Sequence, residues 1–439
     1  MKNYDIVVIG FGKAGKTLAK TAASKGKTVA MIEQSPKMYG GTCINIGCIP
    51  SKTLIHASET LDFNEAMVRK QAVVDALNNK NYHNLADEAT IDIYDAKGQF
   101  QTEHEVALLN ENNEKTATIR GDVIVINTGA TAVVPDIEGV HQSHFIYDST
   151  GIMALPHQPK RLVIIGGGYI ALEFASLFAS FGTKVTVLER HDKVLVKEDE
   201  AIAEQAIQDL EDKGVQIVTH VKTQKIEDQE KEAIVETSEG IFHADAILLA
   251  TGRTPNTDLA LDNVGIQLGE KGEIQVNEHL QTTVPNIYAV GDVKGGPQFT
   301  YVSLDDFRIV SGHLFGDGKR TTNNRGEIPY TVFIDPPLSR IGLTAAQAKD
   351  KGYDIKEGQL PVNQIPRHKI NADARGLFKV VIDAKSHLIL GASLYGAHSE
   401  EMINFIHLAM LQGTTYDVLR DMIYTHPTMT ESFNDLFKI

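Results

Sequence analysis

Cys43 and Cys48 are the only two cysteines in the 439-residue chain, so any thiol redox chemistry is confined to the run GGTCINIGCIPSK. A structural disulfide explains the pair poorly: so short a loop removes little entropy from the unfolded chain, and a chain this long buries a core without covalent staples. An isolated pair outside a secretory context points instead to redox catalysis or metal binding. Two cysteines leave a tetrahedral zinc site two ligands short, and His56 is the one nearby residue able to help. Inert core thiols are the remaining alternative. The surrounding sequence favours redox chemistry and no metal. Five residues of ideal helix rise about 7.5 Å, beyond the usual Cα separation of a disulfide, so bonding these sulfurs requires a distorted segment. Gly47 and Pro50 permit one.

The elements that position this run follow a duplicated plan. DIVVIGFGKAG reads as a buried parallel strand followed by Gly10, Gly12 and Gly15 in GxGxxG and then a helix. LVIIGGGYIA repeats the pattern with Gly166, Gly168 and Ala171, and carries Tyr169 and Ile170 at the start of its helix. A second strand ends in an acid in each unit: Glu33 stands 23 positions after Gly10, and Glu189 23 positions after Gly166. Glycines let the backbone approach a pyrophosphate, the helix amino terminus supplies N–H groups and a positive dipole, and the carboxylate accepts ribose hydroxyls. One such glycine run is also compatible with a tight turn alone; two in register point to dinucleotides. VIVINTGA and AILLATGR, ending at Thr128-Gly129 and Thr251-Gly252, read as the returning strands of two sheets facing a ligand crevice.

Composition sets the class. Hydrophobic residues make up 42% and charged residues 23%, values of a soluble globular protein whose length suggests about three domains. The net charge of −15 disfavours nucleic acid and anionic membrane as partners. The four-residue apolar run before Gly10 is too short for a signal-peptide core, and no stretch approaches a membrane span, so the expected compartment is the cytoplasm.

The motifs quoted so far, in this order along the chain, resemble those of the flavoprotein disulfide reductases, the family of glutathione reductase, dihydrolipoamide dehydrogenase and mercuric reductase. GGTCINIGCIPSK, with Gly41 and Thr42 ahead of Cys43, is highly specific to it. TVPNIYAVGD is similar to the family's second FAD contact, at Gly291 and Asp292; FIDPPLSRIGLT resembles the start of its dimerisation domain and THPTMTE its His-Pro-Thr signature. The resemblance implies an α/β fold of two Rossmann-like dinucleotide-binding domains plus an α+β dimerisation domain. FAD would bind residues 1–150 and 256–326, with Gly41, Thr42, Lys52 and Gly129 among its contacts. NADH, or NADPH, would bind 151–255, with Gly252 at its returning strand, and 327–439 would form the interface of a homodimer.

Residue roles follow from the same resemblance. Lys52 and Glu173 form an ion pair beside the flavin, an ordinary helix-face pair being the alternative. Tyr169 shields the flavin until NAD(P)H enters, or else packs in the core. Cys48 is the thiolate against the flavin, favoured by Lys52, and Cys43 is the attacking sulfur. His426, oriented by Glu431 five residues on, comes from the partner subunit and deprotonates Cys43. Electrons from NAD(P)H reach a Cys43–Cys48 disulfide through the flavin, and the resulting dithiol reduces the substrate.

The substrate is less closely specified. ESFNDLFKI carries no relay cysteine or selenocysteine of the large thioredoxin reductases and no second cysteine pair of mercuric reductases. CINIGCIPSKTLIH looks most like a bacterial subgroup related to reactive-chlorine resistance flavoproteins and hypothiocyanous acid reductases. A small oxidant such as hypothiocyanous acid is therefore expected, with a low-molecular-weight disulfide such as lipoamide or glutathione disulfide as the rival. A flavin-bearing binding protein without turnover is a third reading, against which stand intact Cys43, Cys48, His426 and Glu431. NADH is expected over NADPH, since Glu189 would repel a 2′-phosphate, although Arg190 and His191 could turn toward one.

Overall fold

The apolar run at residues 6–9 sits where its composition predicts, at the centre of a parallel sheet. The strand Lys2–Ile9 pairs on one side with Val29–Glu33 and on the other with Lys115–Ile126. Ile91–Asp95 extends the sheet beyond Val29–Glu33, Ile287–Ala289 adds in parallel to Lys115–Ile126, and Glu105–Leu109 with Lys97–Thr102 form an antiparallel flap. Successive strand side chains point to opposite faces, so a run without polar residues needs cover on both. Val7, Ile9, Ala30 and Ile32 enter one core with Phe100 and Ile287; Ile6, Val8, Val29 and Met31 enter another with Leu18, Ala22 and Ile309. The helix Lys13–Ser24 buries Ala14, Leu18, Ala19 and Ala22 in that second core, beside the helix Thr300–Phe315.

The computed structural model describes residues 1–439, which form two compact units: Met1–Val133 with Ser149–Pro156 and Gly252–Arg325, and Val134–Asp148 with His157–Thr251 and Gly326–Ile439. In the second unit Arg161–Ile165 lies between Lys184–Leu188 and Ala246–Leu249, all parallel, with Gln216–Val218 at one edge and Ile146–Tyr147 at the other. The edge strand Ile146–Tyr147 falls within the stretch 1–150 expected in the first domain. A two-residue strand carries too little periodicity to be placed from sequence. An antiparallel meander of Thr223–Asp228, Ala233–Thr237 and Gly240–Ala244 packs Ile226, Ala233 and Val235 against Val163, Ile165 and Leu249.

The last quarter is α+β, as expected. Five antiparallel strands run in the order Tyr330–Val332, Leu338–Gly342, Ile389–Tyr395, Leu377–Asp383, Ile355–Pro361. The helix Ser399–Leu411 buries Met402, Ile403 and Ile406 against them and leaves Phe405, Leu408 and Leu411 exposed; Val418 and Met422 are exposed beyond it, and Ile423 is 94% exposed. So many exposed large apolar side chains in one stretch of sequence point to an interaction surface.

The sequence duplication is also structural. Gly10 (φ +100°) and Gly166 (φ +110°) turn in the left-handed region, and a Cβ on them would stand 2.3 Å from the Asn127 carbonyl oxygen and 2.5 Å from that of Ala250. These two carbonyls sit at the ends of the two returning strands, one residue before Thr128-Gly129 and Thr251-Gly252. Each turn is thus pressed against its own strand end, at a separation that no side chain fits.

Candidate active site

The cysteine run folds as two helices with a break between them. Thr42–Asn45 ends at Ile46 (φ −141°), and Cys48–Ala57 begins after Gly47 (φ −124°, ψ −118°). A Cβ on Gly47 would meet the Thr42 carbonyl oxygen at 2.9 Å and Cys43 Cα at 3.3 Å, so the close approach of the two cysteine segments requires glycine. Pro50 occupies the first turn of the second helix, where its missing N–H is not needed. Both cysteines are free thiols, hydrogen-bonded to each other. The Thr300 hydroxyl, from the first turn of its helix, lies 3.8 Å from Cys48 Sγ and also bonds Cys43.

The two sulfurs titrate as a pair, with Cys43 lowered and Cys48 raised by their mutual contact. The hydrogen bond from Cys48, against an opposing burial cost, and then Thr300 and the Lys16 ammonium hold Cys43 down to about 6. The same Cys43–Cys48 contact, followed by burial, pushes Cys48 up, with Lys52 one turn along its helix opposing.

Side chains from two other helices hold the loop leading into the pair. Lys16 Nζ donates to the Gly40 carbonyl at 3.0 Å and to Asn81 Oδ1 at 2.6 Å. Asn78 Nδ2 donates to Asn45 Oδ1 at 2.9 Å, and Asn45 Nδ2 to the Gly41 carbonyl at 2.9 Å. Asn78 and Asn81 project from the long helix Phe63–Ala86, which opens with a reciprocal Asp62–Glu65 cap. Sequence reading missed Lys16, Asn78, Asn81 and Thr300; their polar spacing carries no local signal for a contact with a distant loop.

The first glycine turn fits FAD. A Cβ on Gly41 (φ +81°) would fall 2.8 Å from Gly12 Cα, so the cysteine run begins against that turn, and Gly15 packs on Val8. The helix Lys13–Ser24 has no side-chain cap at Gly12, as an anion-binding amino terminus requires. Glu33 accepts the N–H groups of Phe11 (3.1 Å) and Ser35 (3.2 Å), yet its burial pushes it up to about 7. Donated ribose hydroxyls would supply what burial withdraws. Asp292, expected at the second FAD contact, is likewise raised chiefly by burial.

Asn127 joins these two parts: Oδ1 accepts from Gly15 N–H at 2.8 Å, and Nδ2 donates to the Val290 carbonyl at 2.9 Å. Asp306, fully buried, accepts Gly291 N–H at 2.8 Å and pairs with Arg325 at 2.7 Å and Lys294 at 3.4 Å. Neither residue was identified from sequence.

The second glycine turn fits a nicotinamide dinucleotide. Gly168 caps its helix without a side-chain bond, and a Cβ there would meet nothing within 4 Å, leaving the backbone open to a phosphate. Gly252 is similarly open. Glu189 accepts Gly167 N–H at 2.6 Å and both the backbone N–H (2.9 Å) and imidazole Nδ1 (2.5 Å) of His191. Tyr169 opens the helix Tyr169–Ser180, with Ile170 exposed beside it, and Glu173 follows one turn on, its Oε1 accepting Phe333 N–H at 2.8 Å. Lys52 lies on the Cys48–Ala57 helix of the first unit.

His426 Nδ1 lies 2.8 Å from Glu431 Oε2, and Thr428 N–H donates to Glu431 Oε1 at 3.0 Å. Burial pushes the Glu431 carboxyl up, but the bonds from His426 and Thr428 outweigh it and hold the group below its usual range. The imidazole is therefore oriented by a carboxylate, and its side chain is 71% exposed.

Comparison with known proteins finds likenesses along the whole chain. Residues 4–306 match the family model of the pyridine nucleotide-disulphide oxidoreductases, and residues 328–437 match that of their dimerisation domain. The probable pyridine nucleotide-disulfide oxidoreductase RclA of Escherichia coli K12 is 49% identical over 441 residues, covering all of both chains. A mercuric reductase of Staphylococcus aureus is 34% identical over 98% of this chain and 81% of its own length. The corresponding figures for the dihydrolipoyl dehydrogenase of Bacillus subtilis are 31%, 97% and 94%. Among solved structures, a Cu(II) complex of the HOCl-induced flavoprotein disulfide reductase RclA from E. coli is similar with a TM-score of 0.97 at 48% identity, over 100% of this chain and 99% of that one. The dimerisation-domain match supports a homodimer, and no helix is long and apolar enough to cross a membrane.

Proposed function

This chain belongs to the pyridine nucleotide-disulphide oxidoreductase family, whose members use FAD and NAD(P)H, and on that premise we propose that it reduces hypothiocyanous acid to thiocyanate at Cys43. The observation that supports this most is the Cys43–Cys48 pair, which offers a thiolate from about pH 6 upward. The full-length likeness to a reductase induced by HOCl, itself a small oxidant, supports a small oxidant as the substrate class.

In this reading the Cys43 thiolate attacks the sulfur of HOSCN. The S–O bond breaks, hydroxide leaves and takes a proton to become water, and Cys43 carries the SCN group. Cys48, deprotonated in its turn, attacks the Cys43 sulfur, breaks its bond to SCN and restores the disulfide as thiocyanate departs. His426, oriented by Glu431 and supplied to the opposite subunit, takes the proton that Cys43 gives up before attack and returns it to the leaving hydroxide. Bound FAD supplies the two-electron relay from NAD(P)H that returns the disulfide to the dithiol. Lys52 and Glu173 serve as its ion pair, Tyr169 is the gate through which NAD(P)H reaches it, and the compartment is the cytoplasm. The balance is HOSCN + NADH → SCN⁻ + NAD⁺ + H₂O, so one thiocyanate should appear per NADH consumed; NADH loss without thiocyanate would overturn the proposal. A second reading, reduction of lipoamide or glutathione disulfide, draws on the likeness to dihydrolipoyl dehydrogenase.

Glu189 directs the choice of nucleotide toward NADH. Its carboxylate already engages His191, so that imidazole serves the acid rather than a 2′-phosphate. The kcat/KM for NADH should exceed that for NADPH by about tenfold, the effect of roughly 1.4 kcal/mol. A ratio at or below one contradicts this assignment.

A further inference from the structure

Behind Tyr169 lies a carboxylate that the chemistry above does not use. The Tyr169 hydroxyl donates to Glu198 Oε1 at 2.5 Å, and the Tyr330 hydroxyl donates to the same oxygen at 2.7 Å. The two rings stack at 5.6 Å, and their hydroxyl oxygens are 3.3 Å apart. The Glu198 side chain is 0% exposed, and its second oxygen, Oε2, is buried without a hydrogen-bond partner, with the Arg340 guanidinium 3.8 Å away. Arg340 is instead committed to the Lys197 carbonyl and, at 2.6 Å, to Gln347 Oε1. A half-satisfied buried carboxylate is a poor device for stability. It is a good acceptor for a phenol, because charge-assisted hydrogen bonds are roughly twice as strong as neutral ones.

Tyr330 opens the strand Tyr330–Val332, and the next residue, Phe333, donates its N–H to Glu173. Tyr169 and Glu173 stand one turn apart on one helix face, so a single strand and its extension meet both. We propose that Glu198 is the latch of the Tyr169 gate: it holds the phenol in the closed position, shares its charge with Tyr330, and so sets how readily NAD(P)H reaches the flavin. This rests on the reading of Tyr169 as the gate. Burial, followed by the Glu198 charge and its hydrogen bond, raises the Tyr169 phenol well above its usual range, so the donor stays protonated throughout the working pH range.

The test is stopped-flow reduction of the FAD-loaded dimer by limiting NADH, together with the fluorescence of the resting flavin, which an aromatic ring lying over it quenches. Glu198→Gln keeps the shape and removes the charge; it should speed reduction about fivefold and brighten the flavin. Tyr330→Phe should act in the opposite direction, slowing reduction about twofold, because the carboxylate then has Tyr169 as its one phenol donor. General loosening of the fold would move both variants the same way. Tyr169→Phe should be fast, and adding Glu198→Gln to it should bring no further gain. A fast Tyr169→Phe with an unchanged Glu198→Gln would overturn the latch alone. An unchanged Tyr169→Phe would remove the gate, and the latch with it. These measurements read only the reductive half of the cycle, so they stand apart from whether hypothiocyanous acid is the oxidant.

Discussion

Replacing Cys43 by serine should lower turnover at least about a thousandfold while leaving the flavin bound, because it removes the nucleophile and touches none of the FAD contacts. Cys48→Ala should lose turnover as completely for a different reason: Cys43 still attacks, but nothing displaces the group it has taken up, and one equivalent of adduct accumulates per subunit. Cys48→Ala also differs from the wild type in its pH dependence. In the reduced wild-type protein the contact with Cys48 holds the Cys43 thiol down to about 6. Alkylation by iodoacetamide should therefore be fast at pH 7 and fall about tenfold per unit below 6 as the thiolate is protonated. The largest cause of that low value is the hydrogen bond from Cys48, so in Cys48→Ala the inflection should move up toward that of an ordinary thiol. An inflection that stays near 6 would show that other charges hold the thiolate.

Mixing two inactive proteins should restore activity. In a dimer of one Cys43→Ser subunit and one His426→Ala subunit, one site has both lesions and the other has neither, provided His426 serves its partner's cysteines. Random exchange at equal amounts makes half of the dimers mixed, each with one of two sites intact, so about a quarter of wild-type activity should return. Each parent alone should be down by a hundredfold or more, the usual effect of losing a general acid–base group. Proven exchange without recovery would place His426 in its own subunit's site or outside the chemistry.

The parts of this arrangement that were legible in sequence are those set by local backbone geometry. Gly10 and Gly166 announce their turns because any Cβ there would fall within 2.5 Å of the opposing carbonyl oxygen, and the two acids recur at one spacing because strand and helix lengths recur. Gly47 is legible for the same reason, as the break that lets Cys43 and Cys48 meet. What was hidden lies in side chains that meet across long separations. Thr300 reaches Cys48 over 252 residues, Asn127 ties Gly15 to Val290, and Glu198 gathers Tyr169 and Tyr330. Nothing in local period or spacing distinguishes such residues from solvated neighbours. Asp306 is the sharpest case: an acid in a helix reads as exposed, yet it is fully buried because Gly291 N–H, Arg325 and Lys294 surround it.

Steady-state NADH oxidation by the FAD-loaded dimer, with hypothiocyanite, lipoamide and glutathione disulfide compared at matched concentrations, tests the proposed substrate most directly. The kcat/KM for hypothiocyanite should exceed that for either disulfide by at least about a hundredfold and vanish in Cys43→Ser, since a small electrophilic sulfur needs only the Cys43 thiolate whereas a larger disulfide needs a shaped pocket as well. An equal or higher kcat/KM for lipoamide or glutathione disulfide would contradict the oxidant assignment and leave a disulfide reductase.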